Sequence, residues 1–198
     1  MKQVDYYFTP VSPFAYLGHD RFAAIAKKRG AGVVVKPVDI GKVFAVSGGL
    51  PLKQRAPKRQ AYRMFELKRW RDFLGTPLNL QPKFFPVSGD LASRWILAAS
   101  ERGADHGMRL AGAIMRAVWV EERDVSDAAT LSSIASEQGF DADAVGARAA
   151  SADIGARYEA LTREAIERQV FGAPTYVYLD EPFWGQDRLD FLDRALAK

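Results

Sequence analysis

The sequence predicts an α/β protein in which a small β-sheet is assembled from the two ends of the chain, around a long and mainly helical middle. Three observations carry this reading. Short aromatic and β-branched runs lie near both termini, at residues 4–8 and 175–179. Apolar residues at helical spacing fill the segment between them. The 198 residues, 48% hydrophobic and 26% charged, are enough for one domain with an insertion and a substantial core.

In chain order, the first strand covers 4–8 and is ended by Pro10. Phe14, Leu17, Phe22 and Ile25 then recur near the helical period up to Gly30. Val33-Val34-Val35 opens a second strand running to about residue 40, which completes a strand–helix–strand unit of the kind that pairs in parallel. Ser47-Gly48-Gly49 to Pro57 reads as a long loop. Helices are expected over 61–74, 91–102, 108–120, 127–138, 142–150 and 156–169, with Ile114, Met115 and Val118 on one face of the third and Ser126 and Ser151 as caps. The spacing of Tyr62, Phe65, Arg69 and Phe73 predicts a helix with its aromatic face inward and its basic groups solvated. After the strand at 175–179 come a turn at Asp180-Glu181-Pro182, a short Phe183-Trp184 strand and a closing helix carrying Leu189, Leu192 and Leu196. The division that follows is an α/β domain from 1–40 plus 170–198, and a helical insertion over 41–169 whose last helix is placed to pack with the α/β domain.

Composition narrows the chemistry. With no cysteine, the chain has no disulfide, no catalytic thiol of its own and no thiolate metal ligand, and its only imidazoles are His19 and His106. No metal site is expected, and any thiol chemistry must come from a bound small molecule. The start has no signal-peptide pattern and no run approaches the length of a membrane span, so a cytoplasmic protein without membrane contact is expected. The net charge is +4, yet Lys53, Arg55, Lys58, Arg59, Arg63, Lys68, Arg69 and Arg71 crowd together. No nucleic-acid module accompanies them, so an anionic small substrate is the better use for the surplus charge and no nucleic acid is expected as partner.

The segment between the first strand and first helix, Phe8-Thr9-Pro10-Val11-Ser12-Pro13-Phe14, lies where a thioredoxin-type redox enzyme would carry Cys-x-x-Cys. Ser12 followed by Pro13 is a favourable helix entry, the serine capping free N–H groups and the proline fitting the first helical position. The same N–H groups favour an anion, and the thiolate of a bound ligand qualifies. On local sequence, capping and ligand binding both stand.

Three segments together add a resemblance: Thr9-Pro10-Val11-Ser12-Pro13-Phe14-Ala15-Tyr16-Leu17-Gly18, Val170-Phe171-Gly172-Ala173-Pro174-Thr175 and Phe183-Trp184-Gly185-Gln186-Asp187-Arg188-Leu189. They resemble the 2-hydroxychromene-2-carboxylate isomerases, which belong with the kappa-class glutathione transferases and the DsbA-like branch of the thioredoxin superfamily. The likeness extends to Ala117-Val118-Trp119 and Arg123-Asp124-Val125-Ser126-Asp127. It implies a thioredoxin-like domain of DsbA/kappa type with a large inserted all-helical domain, and glutathione as cofactor. Ser12 is then implied to hold the glutathione sulfur as a hydroxyl donor to a thiolate. Pro174 matches the family's cis-proline, with Ala173 before it offering backbone groups to the cysteinyl part. Gln186 and Asp187 match the contact with the γ-glutamyl end, although Asp187 reads equally as a helix cap. Where the family often has Asn before the second long helix, this chain has Gly49. Lys58 or Arg59 is left to bind the glycyl carboxylate or the substrate carboxylate, unless both are solvated surface charges. Relatives of this kind are often dimers, so the resemblance implies a homodimer, for which the sequence itself carries no interface signature.

The implied reaction is a glutathione-dependent isomerisation of a small aromatic carboxylate by reversible thiolate addition and elimination, as in aromatic-compound catabolism, with Tyr6, Phe8, Phe84 and Phe85 as candidate apolar walls. Two alternatives stay open: a kappa-like glutathione transferase using the same thiolate, and a thioredoxin-like binding protein without catalysis.

Overall fold

The computed structural model describes residues 2–198. The chain forms β1 (Gln3–Phe8), α1 (Pro13–Arg29), β2 (Gly32–Pro37), α2 (Ile40–Ser47), α3 (Pro57–Leu74), α4 (Asp90–Ser100), α5 (Ala104–Trp119), α6 (Ala128–Glu137), α7 (Ala142–Ala149), α8 (Ala152–Glu167), β3 (Thr175–Tyr178), β4 (Glu181–Trp184) and α9 (Leu189–Leu196). The strands make one sheet in the order β2-β1-β3-β4, with β1 and β2 parallel and the other two pairings antiparallel. The two ends of the chain thus build the sheet, and helices fill the interval. No helix among the described residues is long and apolar enough to cross a membrane.

β1 is a central strand covered on both faces, so its two-residue alternation divides aromatic residues between two cores. On one side Tyr6 stacks on Phe8 at 4.4 Å and on Tyr176 at 5.3 Å, with Phe22 of α1 tilted against both tyrosines. This core continues into α4 and α5 through Ile96, Leu110, Ile114 and Trp119. On the other side Tyr7 joins Val38, Val43, Ala165, Val170 and Val177, which places α2 and α8 against the sheet.

A charged knot ties that second face. Lys36, buried on β2, lies 3.0 Å from Asp5 of β1 and 2.5 Å from Glu164 of α8, and the Tyr7 hydroxyl donates to the same Glu164 oxygen at 2.5 Å. Arg168 pairs with Asp5 and reaches Asp180 in the β3–β4 turn at 2.8 Å. Burial pushes the Glu164 carboxyl up, but the hydrogen bonds from Lys36 and Tyr7 outweigh it and hold the group below its ordinary range.

Several expectations need correction. β2 stops at Pro37, and residue 40, expected at the end of that strand, instead opens α2, a helix not singled out from the sequence, which runs to Ser47 where the loop was expected to start. Asp39 starts this helix, its carboxylate accepting from the backbone N–H groups of Gly41 and Lys42. Helices α3, α5 and α8 each begin four residues earlier than periodicity indicated, because proline or polar residues open them and apolar spacing registers only a turn later. Ser126 is not a cap: Asp127 takes that position and accepts from Thr130 N–H. Ser151 holds the backbone cap position of α8, but its hydroxyl donates to the Arg148 carbonyl. On α3 the aromatic face points outward, with Tyr62, Phe65 and Phe73 57%, 60% and 78% exposed. The inward stripe is instead Arg63, Leu67, Trp70 and Leu74, of which Leu67 alone is fully buried.

Candidate active site

The β1–α1 turn presents Ser12 at the N-cap of α1 with extended backbone, its own N–H donating to Thr9 carbonyl at 3.0 Å. Its hydroxyl oxygen accepts from Ala15 N–H at 3.2 Å. An oxygen engaged in this way keeps its O–H free to donate, so capping and presenting a donor to an anion are compatible here. Pro13 occupies the first helical position, and no acidic residue lies in the first turn to oppose an anion.

Behind this turn α1 is fixed by His19. Its Nε2 lies 2.9 Å from the Met108 carbonyl, which can only accept, so this nitrogen carries the proton and Nδ1 is the acceptor facing the Tyr6 hydroxyl at 3.4 Å. Burial pushes the imidazole below its ordinary pKa, keeping it neutral at neutral pH. Both ring nitrogens are thus committed to packing α1 on α5 and β1.

Ala173–Pro174 is a cis peptide at the entry to β3. Gly185 N–H donates to the Pro174 carbonyl at 2.9 Å, and Thr175 Oγ1 donates to the Gly172 carbonyl at 2.8 Å. These bonds bring the cis turn beside the single turn of 3-10 helix at Gln186–Arg188 that precedes α9. Gly185 is required there, since its φ of 102° is left-handed and a β-carbon would overlap the Asp187 carboxylate.

A cleft of about 280 Å³ results, lined by Phe14, Glu66, Trp70, Ala173, Trp184 and the turn Gly185–Arg188. It brings Ala173, Gln186 and Asp187 together. Gln186 is buried, and its side-chain oxygen accepts from Arg21 Nη1 at 2.6 Å, a partner on α1 that sequence reading missed. Asp187 is partly exposed and pairs with Arg188 at 2.8 Å.

Lys58 and Arg59 lie elsewhere, in a second cleft of about 440 Å³ formed with Phe14, Arg55, Tyr62, Arg63 and Glu66. Phe14 and Glu66 line both clefts, so the two adjoin beside the start of α1. Lys58 and Arg59 are exposed at its rim, whereas Arg55 and Arg63 are partly buried. Burial, and then the charge of Arg55, push the Arg63 guanidinium down to about 10, still fully charged at neutral pH. Glu66 is held below its usual range chiefly by Arg69, 2.6 Å away. Of the candidate apolar walls, Tyr6 and Phe8 are wholly buried and unavailable to a ligand. Phe84 and Phe85 are half-buried, with Phe85 between Trp119 and the Arg63 guanidinium.

At position 49, where the resemblance implied an asparagine, the structure leaves no room for a side chain. A β-carbon there would overlap the Phe44 ring, which α2 turns back over the loop. This chain fills with Phe44 the space that an asparagine side chain would need.

With this geometry in view, the comparisons agree. A family model of the DSBA-like thioredoxin domain matches residues 3–197. The chain is 33% identical to the 2-hydroxychromene-2-carboxylate isomerase of Sphingobium xenophagum, with 98% of each chain covered. It is 31% identical to the enzyme of the same name from Pseudomonas putida, covering 98% of this chain and 94% of that one. A solved 2-hydroxychromene-2-carboxylate isomerase structure superposes with a TM-score of 0.82 at 29% identity, over 98% of this chain and 94% of the other. The cytosolic disulfide reductase DsbM from Pseudomonas aeruginosa, in a structure with GSH, shares the fold at a TM-score of 0.69 and 18% identity, over 99% of this chain and 100% of that one. The redox neighbours and this cysteine-free chain share a fold, and the chain belongs to the 2-hydroxychromene-2-carboxylate isomerase family of DSBA-like thioredoxin-fold enzymes.

Proposed function

We propose that the protein is a glutathione-dependent isomerase that converts 2-hydroxychromene-2-carboxylate-type substrates to trans-o-hydroxybenzylidenepyruvates. The observation that carries the reading is the placement of a donor-ready Ser12 at the start of α1, on a scaffold whose cis-Ala173–Pro174 turn and Gln186–Asp187 share one cleft, in a chain without a thiol of its own. Glutathione fits this donor set: a free O–H for sulfur, backbone at Ala173 for the cysteinyl unit, and Asp187 for the γ-glutamyl ammonium. Lys58 and Arg59, at the rim of the adjoining cleft, are suited to the glycyl carboxylate.

When bound, glutathione would supply a thiolate for reversible addition to the substrate's ring double bond; the hemiketal C–O bond opens to a phenol and a ketone, the former double bond rotates, and elimination of the thiolate re-forms it as trans and leaves glutathione unconsumed. The chain's task is to favour the thiolate and hold the substrate. A free thiol titrates near 8.5, and lowering that by two units takes about 2.7 kcal/mol of preferential stabilisation. The Ser12 hydroxyl and the free N–H groups of α1 are together of the right size to supply it.

The test is calorimetric titration of glutathione into the wild type and Ser12→Ala, in buffers of different ionisation enthalpy. Wild type should release protons on binding and Ser12→Ala should release far fewer, with turnover falling by at least tenfold while stability falls by only about 1 kcal/mol for the lost cap. Absence of binding at millimolar glutathione would overturn the reading. Accumulation of a thioether product in place of a rearranged aromatic acid would make the enzyme a transferase.

A further inference from the structure

The inward stripe of α3 contains a residue that packing alone does not explain. Leu67, Trp70 and Leu74 turn their side chains toward the core, and the next position of the same stripe is Arg63. Removing a guanidinium from water costs free energy unless an anion answers it. Among the described residues Arg63 has no carboxylate within salt-bridge distance; it lies over the Phe85 ring at 5.4 Å and meets the Met64 sulfur at 4.0 Å, a weak acceptor. Arg55 beside it is also without a carboxylate, donating instead to the Leu50 carbonyl at 2.8 Å and lying over Phe44 at 5.9 Å. Burial first, and then repulsion from Arg55, disfavour the Arg63 charge in the absence of an anion. The cleft they line contains four cations, Arg55, Lys58, Arg59 and Arg63, and one carboxylate, Glu66, already paired with Arg69. Its remaining walls are the rings of Phe14 and Tyr62.

We propose that Arg63, supported by Arg55, is the anchor for the carboxylate of the aromatic substrate and the residue that selects acids over neutral electrophiles. The proposal rests on the isomerase reading for the identity of the substrate, but the anion site itself does not. A planar guanidinium held against an aromatic ring offers two parallel N–H donors to a carboxylate, and its partial burial strengthens each bond relative to one in water. The substrate's ring then lies between Phe14 and Tyr62, and Phe14, two residues after Ser12 in the first turn of α1, borders the Ala173–Asp187 cleft as well, which keeps the two clefts in contact. The rim cations Lys58 and Arg59 remain for the cofactor's carboxylate, which accounts for more positive charge than a single anion needs.

The test uses trans-cinnamate and its neutral twin cinnamamide as probes, titrated into the cofactor-free protein and into Arg63→Gln and Arg63→Lys. Wild type should bind the acid more tightly than the amide. Arg63→Gln should weaken cinnamate by roughly ten- to a hundredfold, the scale of a charge-assisted pair, and leave cinnamamide unchanged. Arg63→Lys should recover part of that loss, having the charge without the fork. Thermal unfolding of both variants and separate glutathione titrations complete the set. An unchanged acid-to-amide ratio in a folded Arg63→Gln overturns the proposal, as does a loss of glutathione affinity as large as the loss for cinnamate, which would assign Arg63 to the cofactor. Selective cinnamate binding in a protein that never binds glutathione would overturn the glutathione reading and leave this anion site standing.

Discussion

Two buried side chains of the same type show how far a hydroxyl's partner decides its worth. Tyr176 is wholly buried with its hydroxyl unpaired, whereas Tyr7 donates to Glu164 within the charged knot. Tyr176→Phe should leave the melting temperature unchanged or raise it, and Tyr7→Phe should lower it by the equivalent of about 1 to 3 kcal/mol, both read by thermal unfolding. Equal losses at the two positions would contradict this account. Gly49 follows the same logic of local space: Gly49→Asn must displace the Phe44 ring, so it should destabilise by about 1 to 3 kcal/mol and fail to tighten glutathione in calorimetry. Legible from the sequence were features fixed by a residue's own backbone position, Ser12 as the cap of α1 and Pro174 as a cis-proline. The site was not legible where two distant residues meet: nothing near Gln186 announces Arg21, and Arg63 looks like one more basic residue until the inward face of α3 is known.

Helix α8 and strand β2 are far apart in sequence and are joined through Glu164 and Lys36. Since the Glu164 carboxyl is lowered in the folded protein, the stability it contributes is fully present above the unfolded carboxylate pKa and is lost as pH falls through the folded value. Wild-type melting temperature should therefore begin to fall below about pH 5, and Glu164→Gln should show a lower melting temperature at pH 7 and a shallower acid slope. Identical slopes would remove Glu164 as the titrating group. Elements with a clean period were readable in advance, such as α1 with its Ser12 start and Gly30 stop, or α9 with its leucines. α2 escaped because Gly41 and the β-branched Val43 and Val46 blur its period, and Asp39 was the only local sign of its start. The outward aromatics of α3 escaped because periodicity identifies a face without saying which side the rest of the molecule occupies.

For the molecule as a whole, the continuity of the main core is decisive. Tyr6, Phe22 and Tyr176 at the sheet belong to one buried cluster with Ile96, Ile114 and Trp119 in the helices. Unfolding should therefore be a single cooperative transition, with far-ultraviolet and near-ultraviolet dichroism coinciding and calorimetric and van't Hoff enthalpies equal. Two separated transitions would show that the helical segment and the sheet hold themselves together independently. His19 sits at the meeting point of β1, α1 and α5, with its Nε2 proton sealed against the Met108 carbonyl. An imidazole proton so protected exchanges slowly with water and resonates downfield of the amide envelope, and the chain has only one other histidine to confuse it with. Nuclear magnetic resonance thus has a natural beacon inside this protein, one that reports through a single line whether the helix bearing Ser12 stays seated as ligands come and go.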